Sequence, residues 1–534
     1  MKYLYRDLTL YNLPELSEMT GLGRMQTPEA VILRGLERFG GAFLARINGD
    51  FALAVSDPSN GEILVARDPL GIRPLYYTRS ESGVIFGGSI GELLARTEAE
   101  KVPDLRSMVS LLKRGSVACG DTLYRGIRRV PPAHLLRIGA DGETLTRYWF
   151  PERIAIDYSL NLSRASERFV GLLERAVARR IGGEAETAFE LSGGLDSSSL
   201  YALALKRFSG RRFSAYTLSY GSWACDESGY VRAFEAAIPC DVRRIAVDRL
   251  DFSGAYSLES NYRLNPHWPP ITTATMYLPL AERLHAEGRR IVLTGQGGDQ
   301  LLGGSCHLLG DLLRRGRWRA LFWELYTFLD GPIRFSFRCF RDAVPSVGKG
   351  GAFMPRRAGR ERETILPLGG EAGGLLGHRM RMLLSDLEMT VRDGAPFHAL
   401  EAAYGFRFRH PFYDRELVEY LLTLPPESLY SRGWTKLPLR YGLEGILPDP
   451  IRSRRDKAEF SALIRRELEA EAERSGGFPC PELQRLGLLE RPRIHEMERA
   501  FIQKDDRELL PLWRAVNLES WYRFHFIQKE NSVF

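Results

Sequence analysis

The sequence predicts two domains of different class: an N-terminal α+β domain with an antiparallel sheet and a C-terminal α/β domain with a parallel sheet. The 534 residues are too many for one ordinary hydrophobic core. Short β-type runs broken by turns occupy residues 51–86, which is typical of an antiparallel sheet. After about residue 158, strand-like and helix-like segments alternate, which favours a parallel sheet covered on both faces. We place the domains at residues 1–155 and 156–534, the second with a helical C-terminal part.

The N-terminal sheet is predicted to contain a hairpin. Apolar runs at residues 51–55 and 62–66 flank a turn that contains Pro58, Asn60 and Gly61. Further short β-type runs follow a second turn, so the strands are expected to follow one another as a meander.

The C-terminal domain shows two alternating periodicities. Helical spacing marks residues 166–180, 197–208, 227–237 and 272–286, and strand-like runs mark residues 187–191, 213–219, 242–247 and 290–293. The chain from residue 308 on is expected to be mostly helical. We interpret residues 312–323 as a surface helix whose aromatic side chains pack on the core, in preference to a peptide- or membrane-contacting face. Residues 349–362 are predicted to form a loop.

The composition is that of a globular protein, with 44% hydrophobic and 26% charged residues. The sequence has no run of about 18 apolar residues and no signal-peptide pattern, so no membrane contact is expected. The six cysteines lack CxxC spacing, which argues against a metal cluster or disulfide framework and favours the cytoplasm. The formal net charge of +7 is small for this length and no nucleic-acid-binding motif accompanies it, so no nucleic-acid partner is expected.

A glycine- and serine-rich segment, LSGGLDSS from Leu191 to Ser198, joins a predicted strand to a predicted helix. Its glycines let the backbone approach a ligand closely, and the N–H groups of the helix point at an anion. Asp196 is placed to hold Mg²⁺, which prefers one or two carboxylates together with phosphate oxygens. A plain strand–helix turn with capping serines is the alternative. A Walker sequence is absent, so transfer of the γ-phosphate is not predicted.

A second glycine-rich segment, LTGQGGDQLLGG at residues 293–304, also follows a predicted strand and contains Asp299. Because ligands of parallel sheets bind at the carboxyl ends of the strands, both segments are expected at one edge of the sheet. Together they can complete one pyrophosphate and Mg²⁺ site.

These two segments resemble the PP-loop ATP pyrophosphatases, which have a HUP-like fold, and within them the asparagine synthetase family with its motifs SGGLDSS and SGEGxDExxGG. Residues 226–230 (DESGY) and 457–460 (KAEF) resemble two further motifs of that family. Residues 48–52 and 66–76 resemble the distal half of a class II glutamine amidotransferase domain, which is Ntn-like. The resemblance covers most of the chain and implies ATP and Mg²⁺ as cofactors.

The resemblance also implies roles for individual residues. Asp196 and Asp299 would hold Mg²⁺, while Lys436 and Lys457 would neutralise phosphate and the charge that develops on an adenylate. The remaining contacts to ATP would come from Ser192, Gly193, Gly194, Ser197 and Ser198 at the pyrophosphate and from Leu191, Leu218, Thr294 and Gly295 at the adenosine.

Two positions depart from the family pattern. Glutaminase activity needs a cysteine nucleophile at the mature N-terminus, whereas position 2 is Lys2, which cannot replace a thiolate. The glutamate of the SGEG motif is replaced by Gln296, and a carboxamide cannot accept a proton as a base. The sequence therefore predicts a truncated, degenerate amidotransferase domain beside an intact ATP site, with no use of glutamine.

This combination resembles the lasso-peptide macrolactam synthetases and the β-lactam synthetases, which adenylate a carboxylate that an amine of the same molecule attacks. The tyrosine of the Tyr–Glu dyad that β-lactam enzymes use is not placed in this sequence. We therefore expect a lasso-peptide cyclase that joins the N-terminal amine of a precursor peptide to an Asp or Glu side chain. The arginine-rich insertion between His307 and Glu371 is expected to hold that peptide.

Other interpretations stay open at this point. They are β-lactam-type closure, another asparagine synthetase-like amide ligase, and a catalytically silent scaffold subunit. Glu388, Asp393 and Glu401 are candidates for taking the amine's proton, although each is interpreted as an ordinary helix-surface carboxylate. The involvement of a leader-binding protein and a leader peptidase as partners is also open.

Overall fold

A computed structural model describes residues 1–23, 26–81, 83–97, 101–118, 120–252, 256, 267, 274–303, 312, 316–329, 397–456 and 460–527. Two five-stranded sheets organise these residues, one antiparallel and one parallel. The predicted fold class is therefore confirmed for each half of the chain. Within the described ranges, no helix is long and apolar enough to cross a membrane.

The N-terminal half contains β1 (Lys2–Leu10), α1 (Leu13–Thr20), α2 (Pro28–Phe39), β2 (Gly49–Asp57), β3 (Glu62–Arg67), β4 (Tyr76–Ser80), β5 (Gly83–Gly87), α3 (Ile90–Ala95), α4 (Leu105–Arg114), β6 (Ile127–Arg129), β7 (His134–Gly139) and β8 (Gly142–Arg147). The antiparallel sheet has the order β1-β2-β3-β7-β8, and β5-β4-β6 form a smaller sheet. Side chains of β2 alternate between the faces. Phe51, Leu53 and Val55 pack against α1 and α2, whereas Ala52 and Ala54 face the smaller sheet. The predicted hairpin is confirmed as β2–β3.

The C-terminal half contains α5 (Leu162–Arg180), β9 (Thr187–Glu190), α6 (Leu195–Arg207), β10 (Ser214–Ser219), α7 (Ser228–Ala237), β11 (Asp241–Ala246), α8 (Ala274–Ala286), β12 (Ile291–Leu293), α9 (Gly298–Leu302), α10 (Trp318–Leu329), β13 (Arg407–Arg409), α11 (Arg415–Thr423), β14 (Tyr430–Ser431), β15 (Trp434–Thr435), α12 (Leu437–Gly442), α13 (Asp449–Arg452), α14 (Ser461–Ser475), α15 (Pro481–Arg485), α16 (Arg491–Ile502) and α17 (Leu509–Tyr522). The predicted strands and helices up to β12 match these bounds to within a few residues.

The parallel sheet has the order β11-β10-β9-β12-β13. Strand β9 pairs with β10 on one side and with β12 on the other, so the direction of strand addition reverses at β9. Ligands of parallel sheets bind at such a switch point, beyond the carboxyl ends of the strands. Both glycine-rich segments leave the sheet there. Strand β13 was not predicted, because its three residues place one phenylalanine between two arginines and carry no recognisable strand pattern.

A surface helix is present in the described part of residues 312–323, but the expected packing of its aromatic side chains on the core is wrong. Helix α10 begins at Trp318, and it turns Leu321 and Glu324 toward the protein. The side chains that were expected to pack on the core are each more than half exposed, namely Trp318, Phe322 and Trp323. The loop predicted at residues 349–362 lies outside the described residues.

A buried polar cluster joins the two halves of the protein. Asp414, at the start of α11, accepts hydrogen bonds from Asn48 Nδ2 (3.0 Å) and Arg180 Nη1 (2.7 Å). The guanidinium of Arg180 also lies over the Tyr11 ring, 3.8 Å from its centroid. Burial raises the pKa of Asp414, but the hydrogen-bonded Arg180 and Asn48 outweigh burial and hold that pKa below its usual value. Asp414 therefore stays ionised and stabilises the contact between the halves.

We expect Asp414→Ala to lower the free energy of unfolding by about 3–5 kcal/mol, because it leaves the buried Arg180 without its carboxylate partner. Urea unfolding at neutral pH measures this change. The control is Glu444→Ala, which removes an exposed carboxylate 3.7 Å from Arg452 and should cost less than about 1 kcal/mol.

The effect of Asp414→Ala should also depend on pH. The pKa of Asp414 is lowered by folding, so its stabilisation is present above the unfolded-state pKa of about 4 and is lost as the pH falls through the folded-state value. The difference in unfolding free energy between wild type and variant should therefore shrink in acid. A difference that stays constant down to about pH 2 would contradict this assignment.

Candidate functional site

A cavity of about 660 Å³ opens at the carboxyl ends of β9, β10, β12 and β13. Both glycine-rich loops line it, the first after β9 and the second after β12. Side chains of α8 and of the segment around Lys436 line it as well, and Ile72 reaches it from the N-terminal half. The cavity thus lies at the switch point of the parallel sheet and beside the junction of the two halves.

The first loop folds back on itself through its serines. Ser192 N donates to Ser197 Oγ (3.1 Å), and Gly194 N donates to Ser192 Oγ (3.2 Å). Gly193 has a φ of +80°, and a Cβ at this position would lie 2.9 Å from Tyr230 Cβ. Only glycine fits there without strain. Helix α6 begins directly after this loop, so its first N–H groups and the positive end of its dipole favour an anion.

The second loop lies directly against the first because glycine occupies the points of contact. A Cβ at Gly295 would lie 2.7 Å from Ser197 N, and a Cβ at Gly298 would lie 2.3 Å from Asp196 Cγ. Both distances are too short for any side chain. The two loops, which follow different strands, therefore form one continuous wall of the cavity.

Lys436 connects the carboxylates of the two loops. Its Nζ lies 2.5 Å from Asp196 Oδ2 and 2.7 Å from Asp299 Oδ1. Burial lowers the pKa of Lys436, but Asp196 and Asp299 outweigh burial and raise that pKa above its usual value. Lys436 also has a φ of +58°, in the left-handed region that residues other than glycine seldom adopt. Such backbone conformations cluster at functional sites.

Asp196 and Asp299 form a donor set that fits Mg²⁺. Mg²⁺ is usually held by one or two carboxylates together with the phosphates of a nucleotide. A site in which the protein supplies every ligand is uncommon for this ion. Among the described residues, no group of three or more histidine, cysteine, aspartate or glutamate side chains could hold a metal ion. The pair of carboxylates, Asp196 and Asp299, matches a metal that arrives with a polyphosphate.

Arg454 lies behind the first loop and connects that loop to the DESGY segment and to the chain around Asp456. It forms an ion pair with Glu227, and its Nη1 donates to Gly193 O (3.3 Å). Its guanidinium lies over the Tyr230 ring, 4.0 Å from the centroid. Tyr230 Oη in turn donates to Asp456 Oδ1 (2.9 Å). The DESGY segment thus fixes the backbone of the first loop and the chain that leads to position 457.

Most of the predicted contact residues line the cavity: Leu191, Ser192, Gly194, Asp196, Ser197, Leu218, Thr294, Gly295, Asp299 and Lys436. Gly193 and Ser198 are not among the lining residues, since the carbonyl of Gly193 faces Arg454 and Ser198 is fully buried in α6. Lys457, Glu388 and Asp393 lie outside the described residues.

The interpretation of Glu401 as a surface carboxylate is wrong. Glu401 lines the cavity as a buried side chain, and it accepts hydrogen bonds from Arg73 Nη1 (2.7 Å) and Phe408 N (2.7 Å). The ring atom His398 Nδ1 lies 3.0 Å from it. Burial raises the pKa of Glu401, but Arg73 outweighs burial and holds that pKa well below its usual range. A carboxylate bound in this way is a poor acceptor for the proton of an amine.

Sequence reasoning missed many of the residues that line the cavity, and among them are Glu190, Tyr277, Arg440 and His410. Of these four residues, Glu190 could have been predicted from the sequence, because it is an acid at the end of an apolar strand, directly before the first loop. His410 supports the second loop, since its Nδ1 lies 2.7 Å from Thr294 Oγ1. Burial lowers the pKa of His410 to about 3, so its imidazole is neutral.

Two protein-family models and several curated proteins match this chain. The asparagine synthase family model matches residues 168–523, and a glutamine amidotransferase domain model matches residues 9–149. A putative glutamine-hydrolyzing asparagine synthetase of Mycobacterium bovis is 26% identical over 480 residues, which are 82% of this chain and 71% of that protein. Glutamine-hydrolyzing asparagine synthetase 3 of Bacillus subtilis is 34% identical over 423 residues, which are 76% of this chain and 66% of that protein.

Among solved structures, one described as the allosteric regulatory enzyme of purine biosynthesis is similar at 14% identity. The similarity covers 48% of this chain and 66% of that chain. Its TM-score is 0.21, which is too low to bear on the fold or on the site.

We expect Gly298→Ala to abolish binding of ATP with Mg²⁺ in a protein that remains folded, because the added Cβ would lie 2.3 Å from Asp196 Cγ and separate the loops. Isothermal titration calorimetry measures the affinity, and circular dichroism checks the fold. The control is Gly171→Ala in α5, where nothing lies within 4 Å of the added Cβ. That variant should bind ATP normally and gain up to about 1 kcal/mol of stability. Wild-type affinity in Gly298→Ala would contradict the contact between the loops.

Proposed function

Because the chain belongs to the asparagine synthase family, whose members are ATP-dependent carbon–nitrogen ligases that form AMP and pyrophosphate, we propose that it closes a lasso-peptide macrolactam. In this proposal a carboxylate of a precursor peptide is activated as an acyl-adenylate, and the N-terminal amine of the same peptide attacks it. The observation that carries the proposal is the contact of Lys436 with Asp196 and Asp299, which brings both glycine-rich loops to one cavity.

ATP is proposed to bind with its phosphates at the first loop. The N–H groups at the start of α6 and the charge of Lys436 favour an anion there. Asp196 and Asp299 would hold Mg²⁺, which neutralises phosphate charge when it is bound. Arg440 and Arg455 also line the cavity and extend its positive surface. The adenosine is proposed to lie against Leu191, Leu218, Thr294 and Gly295.

Amide formation then follows in two steps. The peptide carboxylate attacks the α-phosphorus of ATP and pyrophosphate leaves, with Lys436 placed to stabilise its charge. The amine next attacks the acyl carbon and AMP leaves, with Lys457 proposed to stabilise the tetrahedral intermediate. Since both reacting groups belong to one bound peptide, positioning makes the second step effectively unimolecular.

Gln296 supports an amine that comes from the substrate itself. This residue lines the cavity where the family motif has a glutamate, and its carboxamide cannot accept a proton.

The proposed partners follow from the substrate. A precursor peptide is the proposed substrate, a leader-binding protein and a leader peptidase are the proposed partner proteins, and the reaction is proposed to take place in the cytoplasm. The arginine-rich insertion is proposed to hold the peptide. Its described part, helix α10, exposes three aromatic side chains that could contact a peptide, namely Trp318, Phe322 and Trp323.

The test is ATP–pyrophosphate exchange with and without a candidate precursor peptide from which the leader has been removed. We expect exchange only with the peptide, and mass spectrometry should show that the peptide has lost one water. Asp196→Ala should abolish both activities in a folded protein. The matched control is Asp141→Ala in the exposed turn between β7 and β8, which should leave both activities unchanged.

The alternatives give different results in the same assay. Exchange with an unchanged peptide mass would reject macrolactam closure and retain adenylation. A product in which ammonia has replaced a hydroxyl group would indicate amide synthesis of the asparagine type. No exchange with any candidate precursor peptide would favour a catalytically silent scaffold subunit.

A further inference from the structure

The cavity has an aromatic end in addition to its two loops. This end is formed by Tyr216, Tyr220, Tyr277, Phe397 and Phe408. The ring centroids of Tyr277 and Phe397 are 4.8 Å apart and those of Phe397 and Phe408 are 5.7 Å apart, with both pairs edge to face. An interlocked wall of this kind accommodates a flat, largely apolar ring system.

Glu190 brings a carboxyl group to the aromatic end. It is the last residue of β9, and it is accessible only in part. Phe189, one residue earlier, packs against Tyr201 and Phe213 on the opposite face of the sheet. Because side chains alternate along a strand, Glu190 points to the face that α8 covers. There the hydroxyl of Tyr277 donates a hydrogen bond to it.

The carboxyl group of Glu190 is protonated, and therefore uncharged, at neutral pH. Burial raises the pKa of Glu190 to about 8, and the hydrogen bond from Tyr277 opposes part of this rise. A protonated carboxyl group offers one O–H donor beside one carbonyl acceptor. Among the residues that the structure describes, Tyr216, Tyr220, His398, Glu401 and His410 are further titratable side chains that line the cavity. Of these, Glu401 is engaged by Arg73, and burial lowers the pKa of both histidines.

We propose that Glu190 recognises the adenine base of ATP, with its O–H donating to N1 and its carbonyl oxygen accepting from the N6 amine. This inference rests on the proposed function, because it requires ATP in the cavity. The aromatic side chains would hold the base, and Tyr277 is a positioning residue that orients the carboxyl group. An ionised Glu190 has no donor for N1, but it suits the N–H donors on the edge of guanine.

The experiment measures the affinity for ATP with Mg²⁺ by calorimetry from about pH 6.5 to about pH 9.5. Wild-type affinity should fall about tenfold as the pH rises through 8 and Glu190 ionises, and the ratio of GTP to ATP affinity should rise. Glu190→Gln keeps one donor and one acceptor and does not titrate, so its ATP affinity should stay at the wild-type level of neutral pH throughout. Glu190→Ala should bind ATP about tenfold more weakly at neutral pH.

Two further variants separate the specific role from a structural one. Tyr277→Phe removes the hydrogen bond that lowers the pKa of Glu190, so the fall in ATP affinity should move to higher pH. Glu186→Gln changes a half-exposed carboxylate just before β9 and should reproduce the wild-type profile.

The outcomes distinguish this inference from the proposed function. Parallel pH profiles for wild type and Glu190→Gln would overturn the role of Glu190 and leave ATP binding intact. Loss of pyrophosphate exchange in a Glu190→Gln variant that still binds ATP would assign Glu190 to proton transfer and also overturn it. Failure of the wild type to bind ATP at any pH would overturn the proposed function itself.

Discussion

The contact of Lys436 with Asp196 and Asp299 is the interaction on which the rest of the site depends. Two carboxylates placed this close repel each other unless a cation lies between them. Lys436 supplies that charge from 240 positions beyond Asp196 in the chain. The contact is possible only because Gly295 and Gly298 let the second loop lie against the first. The wall that the two loops form along the cavity follows from this one arrangement.

The N-terminal half contributes to the cavity without supplying a reacting group in the proposed mechanism. Arg73 pairs with Glu401 at the cavity, and Asn48 pairs with Asp414 at the start of α11. Removing one member of a buried charged pair leaves an uncompensated charge, which lowers the free energy of unfolding by about 3–5 kcal/mol. The synthetase half therefore depends on the amidotransferase-like half for the charged partner of Glu401.

Local features made the fold and both loops predictable. Alternating periodicities report the strands and helices directly, and glycine marks the places where backbone must approach closely. The contacts of Arg73 and Lys436 could not be predicted, since their partners lie 328 and 240 positions away and no local pattern pairs distant charges. Glu401 was misinterpreted because helical spacing does not show that another domain covers the same surface. Glu190 could have been predicted from its position as an acid at the end of an apolar strand. Its contact with Tyr277 could not, because that contact depends on how α8 packs against the sheet.

The central claim is that the cavity activates a carboxylate by adenylation, and transfer of an oxygen isotope tests it most directly. The precursor peptide would be labelled with ¹⁸O in the reacting carboxyl group and incubated with the protein, ATP and Mg²⁺. The account predicts that one ¹⁸O atom appears in AMP and none in pyrophosphate, because the carboxylate oxygen becomes bonded to the α-phosphorus. Label in inorganic phosphate, with ADP as the nucleotide product, would contradict adenylation and the roles of Asp196, Asp299 and Lys436.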